Sequence, residues 1–180
     1  MKEILVGLEE FRIARNIDAS QGYKFVLNKQ VGFIVSEISE YLDAENEFDK
    51  VDALCDISVF AINAHSLIYH IYEKDIYAYK EATFVIADVM KSSSDILFFN
   101  QKYTSVLKHI IRQCFTMLDD MRYDIKKCMI ETIKEISARK QDPVQKIEWE
   151  ENGASGKWQK DKNQDSASIY KANYGICKIA

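Results

Sequence analysis

The sequence predicts an all-α fold: a four- to five-helix bundle built on a helical hairpin, followed by an extended C-terminal tail. Three observations carry this. The chain of 180 residues holds only one proline, Pro143, and six glycines, too few breakers for a turn-rich β fold. Apolar residues recur at helical spacing over most of the first 140 positions. Hydrophobic residues make up 47% of the chain, enough to bury a core within a single domain.

In order along the chain, Ile4, Leu5, Leu8, Phe11 and Ile13 form a first helical stripe that breaks near Asn16. Asp18, Ser20 and Gly22 read as a loop. A second helix is expected from about Tyr23 to Tyr41, with Val31, Ile34, Val35 and Ile38 on its apolar side. The polar run from Asp43 to Glu47 makes a turn. A third helix begins near Phe48, carries Val51, Leu54, Cys55, Val59 and Ile62, and runs on into an aromatic stretch with Tyr69, Tyr72, Tyr77 and Tyr79. Residues 80–90 are again helical in pattern. Ser92-Ser93-Ser94-Asp95 is the clearest break, with Ser94 or Asp95 as a cap. Helices are expected over about 96–120 and 124–140, with Asp124 as an N-cap. The helical domain is thus 1–142, and the polar residues 143–180 form an extended tail packed on that domain or on a partner subunit.

The net charge of −4 offers no positive field for nucleic acid, and none is expected as a partner. No window reaches the ~18–20 apolar residues of a membrane span, and the N-terminus lacks the features of a secretion signal. Cys55, Cys114, Cys128 and Cys177 show neither paired nor zinc-type spacing, so free buried thiols in the cytoplasm are expected.

The chemistry lies in the acids. Glu37 and Glu40 share one stripe of the second helix, and Asp52 and Asp56, with Asn63 further along, share one stripe of the third. An antiparallel hairpin would turn the two acidic stripes toward each other at the rim of a buried interface. Carboxylates gathered in this way need a cation, and hard oxygen ligands without His or Cys select Mg²⁺, or alternatively Mn²⁺. On this reading Glu37, Glu40, Asp52 and Asp56 hold the metal, and the carboxylates of Glu37, Glu40 and Asp56 converge within ~6 Å. Glu-x-x-His pairs are absent before His65, His70 and His109, which excludes a di-iron bundle.

The segments Glu37-Ile38-Ser39-Glu40-Tyr41-Leu42 and Asp52-Ala53-Leu54-Cys55-Asp56-Ile57 resemble the acidic signature of the all-α nucleoside triphosphate pyrophosphohydrolases, the superfamily of MazG-like enzymes, dimeric dUTPases and phosphoribosyl-ATP pyrophosphohydrolase. Met121–Asp124, Lys134–Arg139, Gly156–Asp161, Tyr170–Tyr174 and Cys177 are similar to the C-terminal part of phosphoribosyl-ATP-pyrophosphohydrolase-like proteins. The resemblance covers roughly 24–66 and 120–178. It departs at Ala53, where the family commonly has Glu, and Asp52 stands one residue earlier as a substitute. Residues 67–112 then look like a helical insertion.

The resemblance implies Mg²⁺-dependent hydrolysis between the α- and β-phosphates of a (deoxy)nucleoside triphosphate, giving the monophosphate and pyrophosphate. Glu37 or Glu40 would hold the attacking water as general base. Asn63 would bind sugar or base, and Arg139, Lys160 and Lys171 the phosphates. A homodimer or homotetramer is expected. The alternatives are a restricted dUTPase and, because of Ala53, a catalytically inactive helical interaction protein.

Overall fold

The computed structural model describes residues 1–17, 23–66, 89, 91, 93, 103–153 and 159–180. It is all-helical: α1 (Lys2–Ala14), α2 (Tyr23–Asp43), α3 (Glu47–Ser66), α4 (Tyr103–Asp120), α5 (Ile125–Ala138) and α6 (Pro143–Asn152), then short 3₁₀ turns at Ser166–Ser168 and Tyr174–Cys177. The loop read at Asp18–Gly22, the aromatic stretch from Tyr69 to Tyr79, the caps at Ser94 and Asp95 and most of the insertion at 67–112 lie outside the described residues. Among the described residues no helix is long and apolar enough to cross a membrane.

Helix α3 is the axis of the molecule. Of its residues 51–65, only Asp52, Asp56 and Phe60 are not buried, a single stripe at i, i+4, i+8. The rest of its surface packs against α2 and α4, with further contacts to α1, α5 and the Tyr174–Cys177 turn. Val51, Leu54, Cys55, Ile57, Ile62, Leu107, Ile110, Ile111 and Phe115 are wholly buried there.

The helix ends explain the hairpin and the joints. Asn46 caps α3 in both directions: its Oδ1 accepts from the Asp49 amide at 3.0 Å, and its Nδ2 donates to Asp49 Oδ2 at 2.7 Å. Asp124 caps α5, accepting from the Lys127 amide at 3.1 Å, as the sequence predicts. Beyond Asp120 the chain leaves α4 through Arg122, which sits at φ 64° while the Tyr123 amide donates back to Leu118 O at 2.9 Å. This is a left-handed closure that usually falls to glycine. Asn16, at φ 49°, ends α1 in the same way, with the Ile17 amide on Arg12 O at 3.0 Å.

Two segments differ from the sequence reading. Residues 143–152 are helical rather than extended, because Asp142 accepts from the Val144 and Gln145 amides while Pro143 begins the helix. Ser93, read as part of a break, is helical and buried, with its hydroxyl donating to Val89 O at 2.9 Å.

The tail beyond α6 is tied down at two places. Residues 159–164 clasp the α5–α6 joint: the Asp142 amide donates to Gln159 O at 2.9 Å, the Asp161 amide to Lys140 O at 2.9 Å, and Gln164 accepts from the Lys140 amide at 2.7 Å. The last residues clasp the α4–α5 joint, with the Asp124 amide on Cys177 O and the Ile179 amide on Arg122 O, both at 2.8 Å.

Arg122 pays the cost of a left-handed conformation that glycine adopts freely. Arg122→Gly is therefore expected to raise stability in urea denaturation by about 0.5–1 kcal/mol, the αL penalty less the entropy glycine loses. Asp124→Ala, which removes a cap, should lower it by about 1 kcal/mol.

Candidate functional site

The hairpin places the two acidic stripes where they feel each other. Glu37 on α2 is half-buried, and Asp52 and Asp56 on α3 form two of the three points at which that helix reaches the surface. Burial raises the Glu37 carboxyl from 4.5 to about 7, with Glu40 and Asp52 adding repulsion and Arg139 opposing them. Asp56 is pushed well above the ordinary carboxylate range by burial, then by Asp52 and Glu37. Asp52 is raised by burial, although a hydrogen bond from Tyr174 pulls it back. Glu40 lies at the exposed edge.

A fourth buried-side acid, Glu135 on α5, had no assigned role in the sequence reading. It bears on both Asp52 and Asp56. Burial pushes it up, but the Ala172 amide at 2.8 Å and Lys171 at 2.9 Å, aided by Arg139, outweigh that and hold it below its usual range. Glu135 is thus a fixed negative charge behind the cleft. Its heptad position among the basic and polar residues of α5 looks like an ordinary solvated face, and only the returning tail makes it part of the site.

Arg139 bears on all four carboxylates, Glu37, Asp52, Asp56 and Glu135. Its position is set from α1: Arg15 Nη2 donates to Ile136 O at 2.8 Å and Arg139 O at 3.1 Å, closing the last turn of α5. The Arg15 guanidinium also lies 4.1 Å over the Phe11 ring, and burial, reinforced by Arg139, lowers its pKa to about 10.

The predicted binding residues divide. Lys171 reaches the acidic region through Glu135 and also bears on Asp52. Lys160 is exposed and its backbone bridges Gln141; among the described residues no hydrogen bond or ion pair ties its side chain to the carboxylates. Asn63 lies on the angular stripe of Asp52 and Asp56 but is 1% exposed, its Oδ1 accepting from Arg12 Nη1 at 3.2 Å. Helix α1 covers that end of the stripe, so Arg12, not Asn63, presents the polar surface there. Ala53, the position at which the signature departs, is buried in the core at 3% exposure. The glycine-lysine run at 153–157 and Trp158 lie outside the described residues except for Gly153.

Among the described residues no three acid, His or Cys side chains approach closely enough to grip one ion as they stand. Bare carboxylates that repel one another turn apart. The donor set itself fits a hard divalent cation: oxygen ligands on facing helices whose mutual repulsion such an ion would relieve.

All four cysteines are free and buried, as expected. No known protein family, no curated protein and no solved structure matches the chain.

The raised acids set a pH dependence. The folded protein keeps a proton on Glu37 that the unfolded chain releases near 4.5, so it binds more protons between there and about 7. Stability in metal-free buffer therefore falls as pH rises through that window and levels off above it. Melting temperatures from pH 5 to 8 should decline, and Glu37→Gln should flatten the decline. An unchanged slope in that variant would contradict the assignment of Glu37.

Proposed function

We propose that this protein is a Mg²⁺-dependent nucleoside triphosphate pyrophosphohydrolase, cleaving between the α- and β-phosphates to release pyrophosphate. The observation that carries the reading is the meeting of Glu37 on α2 with Asp52 and Asp56 on α3 across the hairpin, where Asp52 bears on Glu37 and both Asp52 and Glu37 bear on Asp56, under the opposing charge of Arg139. Carboxylates crowded into a half-buried cleft without a compensating bond are costly, and a site for a cation and its polyanionic ligand gives the cost a use.

Glu37, Asp56 and Glu40 would hold Mg²⁺, with Mn²⁺ a workable substitute. Bound there, the ion would neutralise phosphate oxygens and stabilise charge developing at the α-phosphorus. The remaining work belongs to side chains of this chain. Whichever of Glu37 and Glu40 keeps a carboxylate oxygen free of the ion would take the proton of the attacking water. Arg139 faces the acids from the C-terminal end of α5 and would meet the β- and γ-phosphates, and Arg12 offers a second guanidinium where α1 crosses the stripe. The buried flank of α3 keeps Asp52 and Asp56 on rigid backbone, which favours fixed positioning of the reactants.

The buried Ala53, where the acidic signature would carry a Glu, favours a second reading, an inactive helical protein that binds a partner. The two are separated by pyrophosphate release screened over ribo- and deoxynucleoside triphosphates, including dUTP, with Mg²⁺ and with chelator. The enzyme reading expects metal-dependent release, lowered ~10²–10⁴-fold by Glu37→Gln, the usual worth of a general base. Release confined to dUTP would narrow it to a dUTPase. A folded protein with no release, and no Mg²⁺-dependent nucleotide binding, would be the interaction protein.

A further inference from the structure

The tail enters the acidic cleft through one side chain. Tyr174 is 5% exposed, and its hydroxyl donates to Asp52 Oδ1 at 2.6 Å, a short bond of the kind made to charged acceptors. The other side of the phenol oxygen lies 3.0 Å from Thr132 Oγ1 on α5. Thr132 Oγ1 also lies 3.0 Å from Cys128 O one turn back, and its single proton is shared between that carbonyl and the phenol oxygen. Tyr174 cannot drift from this place, because the chain on both sides of it is pinned. The Asn173 amide donates to Glu131 Oε2 at 3.0 Å, the Tyr170 hydroxyl donates to the same oxygen, and the Asp124 amide holds Cys177 O at 2.8 Å.

We infer that Tyr174 is a positioning residue for the acidic cleft: its hydroxyl fixes Asp52 beside Asp56 and Glu37, and Asp52 works as an anchored carboxylate rather than as a direct holder of metal or nucleotide. Turning Asp52 toward an ion would break the 2.6 Å bond and leave the buried phenol only the longer contact to Thr132 Oγ1 at 3.0 Å. The same tail fixes Glu135 through Lys171 and the Ala172 amide, so residues 170–177 form the back wall of the cleft. The inference rests on the functional reading above for what the cleft does.

The test compares Tyr174→Phe, Asp52→Asn and the double variant, using Mn²⁺ as the metal probe in water-proton relaxation and Mg²⁺-dependent pyrophosphate release for kcat and KM. Tyr174→Phe removes one oxygen and keeps the ring. It should lower kcat ~10–100-fold, the range for groups that orient metal ligands, with nucleotide KM little changed. Asp52→Asn should match it, and the double variant should be no worse than either, since the pair acts as one unit. Should Tyr174→Phe fail to fold, Thr132→Val replaces it, loosening the phenol from its other side, and should lower kcat in the same sense. Unchanged kcat and Mn²⁺ affinity in Tyr174→Phe, or in Thr132→Val where that stands in for it, would overturn the positioning role. So would loss of Mn²⁺ binding in Asp52→Asn with additive effects in the double variant, which would make Asp52 a ligand. A wild-type protein that neither binds Mn²⁺ nor releases pyrophosphate would defeat the functional reading itself, and the inference with it, before any variant is compared.

Discussion

The gathering of Glu37, Asp52, Asp56 and Glu135 at one half-buried patch is the constraint around which the structure is organised. Like charges brought out of water raise one another's pKa, and each must be protonated, paired or hydrogen-bonded. Here the three solutions are distributed. Glu37 and Asp56 are pushed toward the protonated form, Glu135 is held ionised by Lys171 and a backbone amide, and Asp52 accepts from Tyr174. Arg139 opposes all four, so the acids stand in a balance of charges rather than in a settled ion-pair network.

That balance needs a stiff support, and α3 provides it. A helix buried on nearly every side has no freedom to rotate its two aspartates away from the cleft. Its neighbours make this possible: the hairpin with α2 brings Glu37 across, α4 seals the opposite side with Leu107, Ile110, Ile111 and Phe115, and α5 carries Glu135, Thr132 and Arg139 along a third side. Helix α1 closes the far end, with Gly7 giving room for Ile133 at 3.3 Å from the place a Cβ would occupy. Its two arginines then fasten α3 through Asn63 and α5 through its last carbonyls.

The chain ends contribute more than packing. Backbone hydrogen bonds tie residues 159–161 to the α5–α6 joint and residues 177–179 to the α4–α5 joint. Between these two clasps the segment from Tyr170 to Tyr174 lies along α5, where Glu131 and Glu135 gather its amides and side chains. An acidic helix face that reads as solvated in isolation is thereby a docking strip. The ion pairs that involve exposed lysines, such as Lys178 with Glu47 at 2.6 Å, add little by themselves. The buried Tyr174 ring and the amide hydrogen bonds carry the docking.

Much of the fold was legible in the residues, because hydrophobic spacing, few breakers and capping groups act locally. The extents of α1 and α2, the start of α3, the Asp124 cap and the facing of Glu37 toward Asp52 and Asp56 all follow from periods of 3.6 and a short turn. The helix at 143–152 is also written locally, in the Asp142 cap and Pro143, although its weak apolar spacing hides it from a periodicity argument. What the residues alone left undecided depends on distant segments meeting. Asn63 shares the stripe of Asp56, and only the crossing of α1 buries it. Glu135 is one acid among several on α5, and only the returning tail makes it a fixed charge. Tyr174 lies 122 positions from Asp52, and no local pattern can register a bond of that separation. Periodicity specifies which face of a helix is apolar. Which other element covers that face, and which polar groups it brings, is decided only when the whole chain is packed.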